Sequence, residues 1–305
     1  MTPNALALAT DITVFERGWL SSNNILLCGD QATALIDSGY CSHAPQTLAL
    51  VRSALGGRAL DLLANTHLHS DHCGGNAALQ GAYPALRTLI PPGLARHVAH
   101  WDPAALSYTP TGQTCPQFRF DALLLPDTEL RLGQVHAAPG HDPDSVVLFD
   151  AASRILISAD ALWARGFGVV FPELEGVRAF DAVADTIDLI EALSPAIVIP
   201  GHGAAFTDVA MAIRFARERL AGFLANPAKH TRHAAKVLLK FRLLEVQRQE
   251  LADFIAWAQA TTYFAMMFQR NFGGTDFRLW IDDLIAGLVR SGAAAREGTL
   301  IRNAG

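Results

Sequence analysis

At 305 residues, the chain has room for one large domain with an appendage or for two modest domains, since a domain takes about 100–200 residues. Half of its residues are hydrophobic, enough for a substantial core. Its formal net charge of −5 gives no global attraction for nucleic acid or acidic membrane, although a local basic patch remains compatible with it.

The opening segment, MTPNALALATDITVFE, has no basic stretch ahead of an apolar run, so no secretory signal is expected. No apolar run reaches the roughly 18 residues of a membrane span. The four cysteines, Cys28, Cys41, Cys73 and Cys115, show no CxxC pairing. That speaks against a zinc ribbon or a disulfide framework. Dispersed, reduced thiols suit the cytoplasm.

The first two-thirds of the chain alternate strand-like and helix-like segments. NNILLCG and ATALIDSG read as two strands joined by a turn around Gly29 and Asp30. APQTLALVRSAL has helical composition, ALDLLANTH reads as a buried strand, LRTLIPP as a short strand and GLARHVAHW as a helix. From Thr128 the pattern shifts to a meander of short strands: ELRLGQ, VHAAPG, SVVLFD and RILISAD. A long helix, VRAFDAVADTIDLIEAL, and a strand, AIVIPGH, follow. The next helix starts near Asp208. Its Val209, Ile213, Ala216, Leu220 and Phe223 recur at the spacing of one buried helical face. Mixed strands and helices of this kind predict an α/β fold of sheets covered by helices. After ANPAKHTRH the chain reads as helices followed by a hairpin in AAAREGTLIRNA. A boundary near Pro227 divides a domain at residues 1–226 from a mainly helical module at 227–305.

The stretch NTHLHSDHCGGN, Asn65 to Asn76, places His67, His69, Asp71 and His72 within six residues. Imidazole and carboxylate are ligands for zinc and similar divalent ions. In an extended segment alternate side chains share a face, so His67, His69 and Asp71 are expected to point together and His72 elsewhere. Further candidate ligands end strand-like segments: His141 after HAAPG, Asp160 after RILISA and His202 after AIVIPG. Loops on a rigid scaffold are where functional residues concentrate.

The HxHxDH motif followed by His141, Asp160 and His202 resembles the metallo-β-lactamase fold superfamily, over most of residues 11–225. The resemblance implies an αββα sandwich of two mixed sheets flanked by helices, with a metal site at one edge. It assigns His67, His69 and His141 to a first metal. Asp71, His72 and His202 go to a second, and Asp160 bridges the two. Asp37, in the LIDSG segment, supports the site without binding metal. Two divalent ions per chain follow, zinc first, with iron or manganese as alternatives. The remaining histidines are read as ordinary: His43, His97, His100 and His136 in surface or core, and His230 and His233 facing solvent. Cys73 is read as a small packing residue.

The resulting function is metal-dependent hydrolysis, in which two ions share a hydroxide and Asp71 orients it or takes its proton. Retention of all seven ligand positions argues against a non-catalytic binding protein. Asp at position 160, where one major group of true β-lactamases has Cys, disfavours that group. His at position 69 disfavours diiron flavoproteins. Glyoxalase II and lactonase-like hydrolases fit the ligand set best, predicting a small ester, thioester or lactone, although no glutathione-binding patch is evident. An iron-dependent persulfide dioxygenase, which retains the motifs but uses fewer of the ligands, stays open as an alternative.

Two loops are candidates for the pocket. ALWARGFGVVFPELEG carries Trp163, Phe167, Val169, Val170 and Phe171, which either wall the pocket or pack in the core. DPAALSYTPTGQTCPQF is the second. The C-terminal module resembles helix, helix and wing, and Arg232, Lys236, Lys240, Arg242 and Arg248 make it locally basic. That keeps a ribonuclease as the other alternative, against a plain packing or dimerisation module, which is favoured. The run YFAMMF at Tyr263–Phe268 is expected to bury against the main domain or a partner. The expected partner is a small-molecule substrate, with no membrane, nucleic acid disfavoured and a homodimer open.

Overall fold

The computed structural model describes residues 8, 11–130 and 133–305. Arg131 and Leu132, within the expected ELRLGQ strand, and most of the MTPNALALAT segment lie outside the described residues.

Strands β1 (Ile12–Phe15), β2 (Asn24–Cys28) and β3 (Thr33–Ile36) pair antiparallel, and Gly29 N donates to Ala32 O in the expected turn. Helix α1 (Ala44–Leu55) covers the segment read as helical, with a proline in its first turn and Gly56 in a left-handed stop at φ 58°. Strand β4 (Leu62–Ala64) adds parallel to β3. The chain then passes through α2 (Ser70–Cys73) and α3 (Asn76–Ala82) to β5 (Arg87–Ile90). After α4 (Ala95–His100) and α5 (Tyr108–Thr111), β6 (Ala122–Leu123) closes a six-stranded sheet in order β1-β2-β3-β4-β5-β6.

The second sheet is the meander read from Thr128 onward. Strands β7 (Glu129–Leu130), β8 (Gly133–Ala137), β9 (Val146–Asp150) and β10 (Ile155–Ala159) run antiparallel. Helices α6 (Phe171–Glu175) and α7 (Phe180–Leu193) precede β11 (Ile197–Pro200), which pairs parallel to β10. Helix α8 (Val209–Ala225) starts at Asp208, whose carboxylate accepts from Met211 N.

Strand alternation builds the layers. Ile25, Leu27, Ile36 and Ala64 face inward onto Val146, Leu148, Ile155 and Ile157 of the other sheet. Their neighbours Leu26, Leu35 and Leu63 face outward onto Val51 and Leu55 of α1. On the other side Val147, Leu156 and Val198 meet Val183 and Ile187 of α7 and Ile213 and Leu220 of α8. The result is the expected αββα sandwich, with two mixed sheets inside and helices outside.

Pro227 is the first residue of α9 (Pro227–Val246). Strand β12 (Arg248–Glu250) and helices α10 (Leu251–Ala260), α11 (Thr262–Asn271) and α12 (Phe277–Arg290) follow. The expected hairpin forms as β13 (Ala294–Glu297) and β14 (Leu300–Asn303), and β12 joins it in the order β12-β14-β13. The YFAMMF run buries Tyr263, Phe264 and Met267 in a cluster that also holds Val169 and Leu174 of the main sandwich. Helix α9 is anchored through Tyr40, whose hydroxyl donates to Glu245 Oε1 at 2.9 Å and whose ring meets Phe241 edge-on.

The basic character expected of this module is largely spent internally. Arg232 pairs with Asp283, Arg242 pairs with Glu245, and the Lys240 amine donates to Ala293 O, Asn303 Oδ1 and Ala304 O.

Candidate metal centre

The seven expected residues come together at one edge of the sandwich. His67 lies on the loop leaving β4, and His69 is the residue just before α2, which carries Asp71 and His72. His141 lies between β8 and β9, Asp160 directly after β10, and His202 two residues beyond β11. Their donor atoms form three groups: His67, His69 and His141; His67, His72 and Asp160; and Asp71, His72 and His202. His43, His97, His100 and His136 belong to none of these groups among the described residues.

Asp71 does not take the face expected of it beside His67 and His69. The chain leaves the extended conformation at Ser70 and turns helical, so Asp71 no longer shares a face with His67 and His69. It is turned instead towards His202, with Asp71 Oδ2 3.1 Å from His202 Nε2. Asp160 lies between the groups, 3.4 Å from both His72 Nε2 and His141 Nε2 and 3.8 Å from His202 Nε2.

The chemistry of the donor set fits divalent ions. His67 Nε2 and His72 Nε2 are buried without a hydrogen-bond partner, which is costly unless something absent from the polypeptide satisfies them. The opposite ring nitrogens of three histidines are fixed by the protein. His72 Nδ1 lies 2.8 Å from Asp37 Oδ2, His141 Nδ1 2.6 Å from Val169 O, and His67 Nδ1 3.1 Å from Thr66 Oγ1. Such outer bonds set the tautomer and aim the free nitrogen at a metal.

Burial lowers the pKa of His67 well below its ordinary value and that of His69 and His141 to about 4, so these rings are neutral and ready to ligate at neutral pH. His72 goes the other way. Burial opposes its charge, but Asp37, Asp160 and Asp71 together raise its pKa well above the ordinary value. Burial pushes Asp71 and Asp160 up, yet the surrounding histidines outweigh it and hold both below the usual carboxylate range.

Several supports escaped the sequence. Asn23 donates to Pro200 O and Gly203 O and so holds the His202 loop from 177 and 180 residues away. Gly168 and Gly201 leave no room for a Cβ: at the first it would strike the His141 ring, at the second Asp160 Oδ1. Trp19 stacks on His202 with centroids 5.4 Å apart and planes 9° apart. Its only sequence signal was a large aromatic in a polar loop. Ala159, just before Asp160, has φ 46°, and Asp37 has φ 57°, so two non-glycine residues beside the site sit in left-handed backbone.

A cavity of about 480 Å³ opens over the donor groups. From the loop after Asp160, Trp163, Val169 and Phe171 line it, whereas Phe167 and Val170 are buried in the core behind. The expectation for that loop therefore divides: some of its apolar residues face the cavity and others the core. Leu106, Tyr108 and Gln113 line it from the second expected loop. Cys73 packs behind, its Sγ 3.1 Å from the Tyr108 hydroxyl. The solvent-facing expectation for His230 and His233 is corrected. His230 is 2% exposed and its Nε2 accepts from Val170 N, while His233 lines the cavity. Helix α9 packs over α8 and the cavity mouth, which turns this part of the basic stretch inward.

A model of the metallo-beta-lactamase superfamily matches residues 17–202, more than half the chain and all seven positions. A hydroxyacylglutathione hydrolase from Stenotrophomonas maltophilia (strain R551-3) is 30% identical over 162 residues, 53% of this chain and 53% of that protein. The chain thus spans about half the length of the curated relative it matches. TTHA1623, solved in a di-iron-bound form, is 26% identical with a TM-score of 0.55, covering 67% of this chain and 98% of that one. The metallo-beta-lactamase family protein TTHA1429 from Thermus thermophilus is 18% identical with a TM-score of 0.57, covering 97% of this chain and 100% of that one. At that identity it shows the fold alone.

Proposed function

This chain belongs to the metallo-beta-lactamase superfamily, and from that premise we propose that it is a metal-dependent hydrolase of a small ester, thioester or lactone. The observation that carries the reading is the convergence of seven His and Asp side chains beneath an apolar-walled cavity. We assign His67, His69 and His141 to one ion, Asp71, His72 and His202 to a second, and Asp160 to both. Zinc is the metal proposed, as the mixed imidazole and carboxylate set suits it, with iron or manganese as the alternatives. Ions held there would acidify bound water towards neutral pH and polarise a carbonyl oxygen.

The chain's own residues supply the rest. Asp71 borders the cavity as a carboxylate held in its ionised form by His72 and His202, an acceptor that can orient the attacking water, and we assign it the water's proton as well. Trp19 and Trp163 lie against His202 and Phe171 against His69 and His141, so the donors have apolar neighbours that would strengthen each electrostatic contact once substrate fills the cavity. The named activity of the Stenotrophomonas relative supports acyl hydrolysis.

We also assign the protein to the cytoplasm, on the strength of four free cysteines. Among the described residues, no helix is long and apolar enough to cross a membrane.

The deciding experiment assays thioesters, lactones, aryl esters, phosphodiesters and single-stranded RNA with zinc, iron and manganese in turn, alongside metal analysis. Acyl hydrolysis that vanishes on chelation and in His67→Ala, with about two metals per chain, is expected. RNA cleavage lost in His67→Ala without any acyl hydrolysis would replace this reading with the ribonuclease.

A further inference from the structure

The carboxylates that line the cavity, Asp71 and Asp160, both belong to the metal-donor groups. Arg165 and Arg219 also line its wall, together with His233, and Lys236 lines a smaller, adjoining cavity of about 250 Å³ that shares His233. Among the described residues none of Arg165, Arg219, His233 and Lys236 has an ion-pair partner, whereas Arg214, Arg217 and Arg232 nearby on α8 and α9 all do. The two guanidiniums rest on aromatic faces instead. Arg165 lies over Phe215 at 5.2 Å and Arg219 over Phe167 at 5.9 Å, and Arg219 Nη1 also donates to Phe167 O at 3.0 Å.

Arg219 is half-buried and leaves most of its donors unassigned, while Arg165 is exposed at the rim. Gly166 is what lets Arg219 come so close, because a Cβ there would meet the guanidinium. A half-buried cation without a counterion is costly. His233 registers the same local field: burial, Arg219 and Lys236 lower its pKa to about 4.

We infer that Arg219, with Arg165 and Lys236 near it, forms a subsite for a small anionic group, a carboxylate or a phosphate, carried by a substrate that is otherwise largely apolar. Val169, Phe171 and Phe241, which line the same cavity, would contact the apolar part of that substrate. A planar guanidinium presents paired donors that match either anion. A small anion fits better than a polymer, since the cavity is only about 480 Å³ and much of its lining is apolar. The inference rests on the hydrolase reading in one respect, that the anion belongs to the molecule being cleaved.

Binding and turnover separate the two. The metal-loaded protein is titrated calorimetrically with octanoate, octanedioate and 8-phosphonooctanoate, so that the metal end meets a carboxylate in every case. At least one of the two-anion probes is expected to bind ~10-fold or more tighter than octanoate, the scale of charge-assisted hydrogen bonds. The larger advantage identifies carboxylate or phosphate. Arg219→Gln and Arg165→Gln should abolish the advantage and Arg219→Lys should keep much of it. Arg178→Gln, a change at an exposed residue paired with Asp181, should leave it intact. In turnover, the same Gln variants should raise KM for mono-p-nitrophenyl octanedioate more than for p-nitrophenyl octanoate. Octanoate binding as tightly as both two-anion probes, or an advantage unchanged in both Gln variants, overturns the subsite. A single-stranded RNA oligomer that displaces octanedioate and binds more tightly overturns the small-anion class. An intact binding advantage with no hydrolysis of these esters or of any thioester or lactone in the panel supports the subsite and sinks the hydrolase reading instead.

Discussion

His72 Nδ1 and Asp37 Oδ2 lie 2.8 Å apart, both fully enclosed, and the same carboxylate accepts from Thr66 N at 2.9 Å and from Thr66 Oγ1 at 2.7 Å. One side chain on the β3 loop thereby fixes both a ligand candidate and the backbone that leads into the histidine cluster. Its left-handed backbone, φ 57°, is strain held in place by those bonds.

Replacing Asp37 by Asn keeps the acceptor for Thr66 N but removes the charge that orients His72. Metal affinity should fall about 10–100-fold, the usual effect of losing such an outer partner. Competition against a chromophoric chelator measures it, and circular dichroism checks the fold. Wild-type affinity in a folded Asp37→Asn protein would show that His72 is oriented by something else.

Asp160 stands within 3.4–3.8 Å of ring nitrogens from His72, His141 and His202. Asp160→Asn nearly preserves shape and removes an anion. We expect less than the wild-type metal content and a fall in turnover of at least ~100-fold. Unchanged content and rate would remove Asp160 from its proposed place between the ions.

At Gly201 a methyl group would press on Asp160 Oδ1 and approach His72 Cε1. Gly201→Ala should therefore disturb both side chains while adding nothing polar. Activity and metal affinity are expected to drop together, with a smaller loss in melting temperature than core truncation gives. A fully active Gly201→Ala protein would mean the loop yields more easily than its packing implies.

His230 has its pKa lowered by burial to about 4, from an ordinary value of 6.5, with His233 adding to the effect. Between those two pH values the unfolded chain takes up a proton that the folded chain refuses. Stability therefore falls as pH drops from about 6.5 to about 4. His230→Gln keeps an acceptor for Val170 N and cannot titrate. Urea unfolding at intervals from pH 7 to pH 4 should show a shallower decline in the variant. Parallel curves would mean that His230 does not contribute.

The fold was legible wherever local pattern carries the information. Val209, Ile213, Ala216, Leu220 and Phe223 were read as one helical face, and all five are buried. The meander and the C-terminal hairpin were read from short apolar runs broken by turn residues. Strand β4, Leu62–Ala64, is shorter at both ends than the apolar run suggested. The one-turn helix at Ser70–Cys73 was not legible, since four residues give no period to detect.

Residue type and local position were enough to say which chemistry is available: three histidines and an aspartate share one loop, and three more donors stand at strand ends. Which donors meet was a matter for the packed molecule. Packing turned Asp71 towards His202, brought Asn23 beneath the His202 loop, and carried Arg219 and His233 from the outer helices into the cavity wall. Those meetings depend on how two sheets and their covering helices fit together. Side chains as far apart along the chain as Asp71 and His202 acquire a distance only when the core between them closes.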